Sequence, residues 1–178
     1  IPFQVAAALE SAHRGARILQ PQVSFQEGPR SVLRSLAEVG RELGASRRRL
    51  RRAVARAWEA QEAFEEACRQ RGREVLSGLD ASRRAVVIVS RPYNGCDPGA
   101  NLHLADKLRR HGVLPVPMDF LDLSPVGLGA DHVLRNMYWR LGQRILLAAE
   151  QIRADARLHA VYLSNFGCGP DSFLIGYF

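Results

Sequence analysis

Short apolar runs alternating with amphipathic stretches organise the second half of the chain. Ala85-Val86-Val87-Ile88-Val89 is continuous and rich in β-branched residues, the pattern of a strand buried on both faces of a parallel sheet. Arg91-Pro92 ends it. A helix is predicted from Gly99 or Ala100 to Arg110, with Gly112 placed to terminate it in a left-handed conformation. Val113 to Met118 predicts a second strand, and its prolines suit a sheet edge. After a loop rich in Gly, Pro and Asp that reaches about Gly129, a further helix is expected over Asp131 to Ala154. It carries Val133, Leu134, Met137, Tyr138, Leu141, Ile145, Leu146 and Ala149 on one broad face. His159 to Leu163 reads as the last strand.

The first half has a different period. From about Pro29 to Leu79 the pattern is helical, in two pieces separated near Gly44, with Ser46 as an N-cap. Leu50, Val54, Ala57, Trp58, Phe64, Ala67 and Cys68 recur at helical spacing among arginines and glutamates, so one face is expected to pack and the other to be wet. The expected fold class is therefore α/β: a parallel sheet of Rossmann-like βαβ units with flanking helices, preceded by a long amphipathic helical segment. Residues 1–80 would form the helical segment packing on the α/β part, and residues 81–178 a βαβαβ domain.

Composition narrows the class. At 178 residues, 47% hydrophobic and 24% charged, the chain has the balance of a globular domain, and its three cysteines do not make a disulfide scaffold. No uncharged apolar run is long enough to span a membrane and no signal peptide opens the sequence, so a cytoplasmic protein is expected. The start at Ile1 and the end shortly after a Gly/Pro turn that opens a new element suggest an excised piece, truncated at both ends.

The net charge of +7 is local. Between positions 41 and 56 seven arginines face one glutamate, which accounts for six of those seven charges. No aromatic residue interleaves with them and no zinc-finger spacing accompanies them, so nucleic acid is not expected; a solvated or partner-facing helix surface is.

Two loops leave strand ends, where parallel α/β sheets bind ligands. One is Arg91-Pro92-Tyr93-Asn94-Gly95-Cys96-Asp97-Pro98-Gly99; the other runs from Ser164 through Cys168 to Ser172. Each sets a cysteine among glycine, proline, asparagine and aspartate. Cys96 and Cys168 are thus candidate soft ligands for an iron-sulfur cluster or zinc, or else ordinary turn cysteines; both metals usually take four ligands, so the set is incomplete. Cys68 is expected to pack as a small hydrophobe. Arg91 with Asn94 suits a ligand phosphate or carboxylate, or Arg91 pairs with Asp97. Asn136 and Gln143 are expected to hydrogen-bond the cysteine loops or their ligand, or to serve as caps. The five histidines lack paired ligand spacing.

Four ordered motifs carry a resemblance. Arg91-Pro92-Tyr93-Asn94 with Asp97-Pro98-Gly99 comes first and Pro117-Met118-Asp119-Phe120 second; Asn136-Met137-Tyr138-Trp139 with Gly142-Gln143-Arg144-Ile145, and Asn165 to Phe173, follow. Together they resemble the acyl-CoA dehydratase activase-related proteins, relatives of 2-hydroxyacyl-CoA dehydratase and benzoyl-CoA reductase subunits. The resemblance implies strand-end cysteines, Cys168 first, holding an iron-sulfur cluster that passes single electrons in an ATP-dependent dehydratase/reductase-type system. It also implies that members are longer, so that the cluster belongs to the complete protein rather than to this piece. A dehydratase-type subunit or the ATPase activator would be the partner and an acyl-CoA the ligand, with Asn165 joining Arg91, Asn94, Asn136 and Gln143 as ligand-binding residues. The alternative is a CoA- or nucleotide-binding or interaction module without a cluster.

Overall fold

The computed structural model describes residues 4, 7, 18–25, 27–80, 83–123, 134, 137–165 and 167–178. They form two compact units, residues 1–64 and 65–178.

In the first unit, α1 (Pro29–Ser35) and α2 (Ala37–Glu42) lead to α3 (Arg47–Ser77), which continues into the second unit. Ser46 caps α3 as its sequence position predicts: its Oγ accepts the Arg49 N–H at 3.3 Å. Gly40 lies against Leu50, and Val54 is buried. The predicted apolar stripe is only partly covered, since Ala57, Ala67 and Phe64 are exposed, Phe64 at 62%.

In the second unit, three parallel strands are described, β1 (Ala85–Ser90), β2 (Leu114–Pro117) and β3 (Leu158–Leu163), in the order β2-β1-β3. Ala85 pairs with Leu114 on one side and with Leu158 on the other. The Pro-bearing β2 has β1 as its one described neighbour, the edge position its prolines require. The short helix α4 (Pro92–Gly95) follows β1, and α5 (Leu104–Arg110) joins β1 to β2. A 3-10 turn, Met118–Phe120, follows β2, and α6 (Arg140–Ala154) leads to β3. The final helix is α7 (Gly169–Leu174).

The two sheet faces have different cover. Val87 and Val89 of β1 join Val116, Leu158, Ile145, Leu146, Ala148 and Leu174 in the core. Ile88 and Ser90 face the other way, toward Ala105 and Arg109 of α5. Helices α5 and α6 thus lie on opposite faces, as right-handed crossovers in opposite directions demand.

Two helix starts differ from the sequence expectation. α5 begins at Leu104 rather than near Ala100, because Leu102 and His103 adopt left-handed backbone with φ of 54° and 55°. Asp97 Oδ1 and Asn101 Oδ1 accept the Ala100 and Leu104 N–H groups there, offering the chain turns in place of a helical ladder. α6 begins at Arg140: Trp139 is extended, and Gln143 Nε2 donates to the Met137 carbonyl ahead of the first turn. Residues 131–133, 135 and 136, also placed in that helix from sequence, lie outside the described residues.

Candidate functional site

The connections from β1 and β3 leave the sheet side by side. Arg91, the residue after β1, donates from Nε to Asp171 Oδ1 at 2.9 Å, and Ser164 Oγ donates to Asp171 Oδ2 at 2.7 Å. Asp171 is 3% exposed. Burial by itself would raise its carboxyl pKa; hydrogen bonds from Ser164, Arg91 and the Cys168 thiol, with the Arg91 charge, outweigh that and hold it below its ordinary value. Arg91 therefore has Asp171, not Asp97, as its partner, and the two rim loops are locked together through it. Asp97 caps its own turn.

Two buried polar atoms at this rim have no hydrogen-bond partner among the described residues: Asn94 Nδ2 and the Tyr162 hydroxyl. Asn94 is 4% exposed. Tyr162 pairs with Val89 across the sheet and stacks on Phe178 with ring centroids 5.2 Å apart. Burial and the nearby Asp171 carboxylate push its hydroxyl up to about 12, so it remains a proton donor at neutral pH. A buried amide nitrogen left without an acceptor costs about 1–3 kcal/mol.

Cys168 stands at the N-cap of α7, half-buried, and its carbonyl accepts the Ser172 hydroxyl at 2.9 Å. Asn165 is exposed, and its carbonyl accepts the Cys168 N–H at 3.2 Å. Gln143 is occupied with the Met137 carbonyl. Asn136 lies outside the described residues.

Cys96 turns to a different neighbourhood. It lines a cavity of about 110 Å³ between β1, β2 and α5, with Ser90, Arg109, Met118 and Asp119 among its walls. Burial and the Asp119 carboxylate push the Cys96 thiol up, and the nearby Cys68 adds to this; burial and Asp119 also raise Cys68. Cys68 is thus a half-buried thiol facing the same carboxylate as Cys96, a role its place on an apolar stripe did not reveal. Gly72, one helical turn on, was the available signal: a Cβ there would collide with the Phe120 carbonyl oxygen, so this face of α3 meets the turn that carries Asp119. Arg144 pairs with Asp119 from α6.

Cys96 and Cys168 therefore have separate surroundings. Among the described residues no three His, Cys, Asp or Glu side chains stand together in a way that could hold a metal ion.

The fold is an α/β domain of parallel βαβ units in which two cysteine-bearing loops leave the neighbouring strands β1 and β3. The chain belongs to the family described as the CoA enzyme activase uncharacterised domain, whose model matches residues 1–121, in accord with the motif resemblance to acyl-CoA dehydratase activase-related proteins. The match takes in Cys68, Cys96 and Arg91. No curated protein and no solved structure matches the chain. No helix among the described residues is long and apolar enough to cross a membrane.

Proposed function

We propose that this domain is a ligand-recognition and docking module of a CoA-enzyme activation system, binding an acyl-CoA at the rim between β1 and β3 in concert with a dehydratase-type partner. The observation that carries this reading is the buried, unpartnered Asn94 Nδ2, three residues after Arg91 of the Arg91–Asp171 pair. β1 connects toward β2, while β3 lies on its other side, so the edge where β1 and β3 end is a topological switch point, the usual ligand position in open α/β sheets. The Asn94 amide offers a donor, which suits a thioester carbonyl or a phosphate oxygen. Arg91 supplies positive charge at the same rim.

Isothermal titration of the full chain with coenzyme A, acetyl-CoA, ADP and inorganic phosphate tests this. Acetyl-CoA should bind, and Asn94→Leu should weaken binding at least about tenfold, the value of one lost buried hydrogen bond to ligand. No binding by any of the four, or equal binding by Asn94→Leu, refutes the reading.

A second reading keeps the redox role, in which Cys168 contributes one ligand to an iron-sulfur cluster completed by other chains or segments. Its support is the strand-end position of Cys168. Iron and sulfide analysis after anaerobic co-purification with the dehydratase partner decides it: stoichiometric iron lost in Cys168→Ser supports the cluster, and iron unaffected by that change rejects it.

A further inference from the structure

Helix α3 carries its charge in two blocks of opposite sign. Arg48, Arg52 and Arg56, followed by Glu59, Glu62 and Glu66, recur at intervals of three or four residues and so form one stripe along the helix. All six are exposed. The arginine block is uncompensated. The first turn of α3 holds no acidic residue, and Arg48, Arg52 and Arg56 make no hydrogen bond or ion pair among the described residues. They repel one another at i,i+4 spacing, and Arg48 also lies in the first turn at the positive end of the helix dipole, so in the lone chain the block is mildly destabilising. The far end of the same helix is handled differently: Arg69 and Arg73 pair with Glu66, and Arg71 with Glu74.

The stripe inverts its sign about Ala57. Arg48 lies nine residues before that point and Glu66 nine after; Arg52 lies five before and Glu62 five after; Arg56 and Glu59 flank it. An identical helix laid antiparallel across Ala57 places each arginine opposite a glutamate, over a length of about 27 Å at ~1.5 Å per residue. This is the self-complementary surface that a two-fold dimer requires. The exposed Ala55 and Ala63 leave room for approach within the stripe. Glu62 accepts the Trp58 indole N–H, and Glu66 accepts Arg69 and Arg73. These are solvent-exposed pairs of small individual value and can exchange partners. A nucleic-acid backbone would satisfy the arginines but meet three carboxylates on the same stripe. A second copy satisfies both halves.

We infer that this face of α3 is a self-association surface, pairing antiparallel with α3 of a second copy of the chain. The inference is independent of the ligand proposed for the rim. Sedimentation velocity of the full chain at about 50 mM and about 500 mM salt tests it, because screening of exposed charges tightens over that range. A dimer is expected at low salt, with at least about tenfold weaker association at high salt. The triple variants R48E/R52E/R56E and E59R/E62R/E66R should each be monomeric, and an equimolar mixture should restore the dimer. The milder R52Q/E62Q variant should weaken association without altering helicity by circular dichroism. A wild-type monomer at low salt overturns the inference, as does a dimer indifferent to salt and to both reversals, or a monomer that instead binds duplex DNA or polyglutamate.

Discussion

Arg91 and Asp171, eighty positions apart in the chain, meet through a 2.9 Å hydrogen bond that ties the loop after β1 to the loop after β3. Both groups are largely withdrawn from water, with side chains 17% and 3% exposed. Removing one partner leaves the other buried and uncompensated, so Arg91→Gln should cost about 2–4 kcal/mol in denaturant unfolding. The double variant with Asp171→Asn should cost less than the two single losses added, with a coupling of about 1–3 kcal/mol. Additive losses would show that the pair does not hold the rim.

The same pair sets an acid limit. Asp171 binds its proton less tightly in the folded chain than an ordinary aspartate near 3.8, so its stabilisation is complete above that value and is lost as pH falls through the lower, folded value. Unfolding free energy followed below pH 4 should therefore decline less steeply in Asp171→Asn than in the wild type.

At the alkaline end the sign reverses. Folded Tyr162 ionises near 12 against an ordinary 10.0, so the unfolded chain releases that proton first and stability falls as pH rises from about 10 to about 12. Tyr162→Phe should flatten this decline, and ultraviolet titration of the folded wild type should show one late-ionising tyrosine that the variant lacks.

Gly72 admits the Phe120 carbonyl to within a distance no side chain permits. Gly72→Ala should lower unfolding free energy by about 2–3 kcal/mol as helix and turn are forced apart. Gly169→Ala, where an added Cβ meets nothing within 4 Å, should be close to neutral. Equal effects would remove the close-approach argument.

Cys68 and Cys96 share the field of Asp119, which together with burial keeps both thiols protonated beyond their ordinary range. Iodoacetamide labelling followed by peptide mass spectrometry should be slow at both sites near neutral pH. Asp119→Asn should accelerate it several-fold, since the thiolate is the reacting form. Unchanged rates would place Asp119 outside their electrostatic reach.

Local patterning by itself determined the elements of this protein. The unbroken run Ala85 to Val89 could only be satisfied as a strand covered on both faces, Gly112 takes the positive φ of 73° that ends α5, and Ser46 caps α3. The family, too, was legible from motif order. What the tertiary structure decided are relations between distant residues. Nothing in periodicity distinguishes Asp97 from Asp171 as the partner of Arg91, because that choice depends on β3 lying beside β1. The packing value of Cys68 depends on which turn its helix face meets, and Gly72 fixes that only once Phe120 is in place. The starts of α5 and α6 moved for a related reason: Asn101 and Gln143 satisfy backbone groups through contacts that helical spacing does not encode. Sequence sets what each segment can become, and the sheet order β2-β1-β3 sets which of its polar groups then find each other.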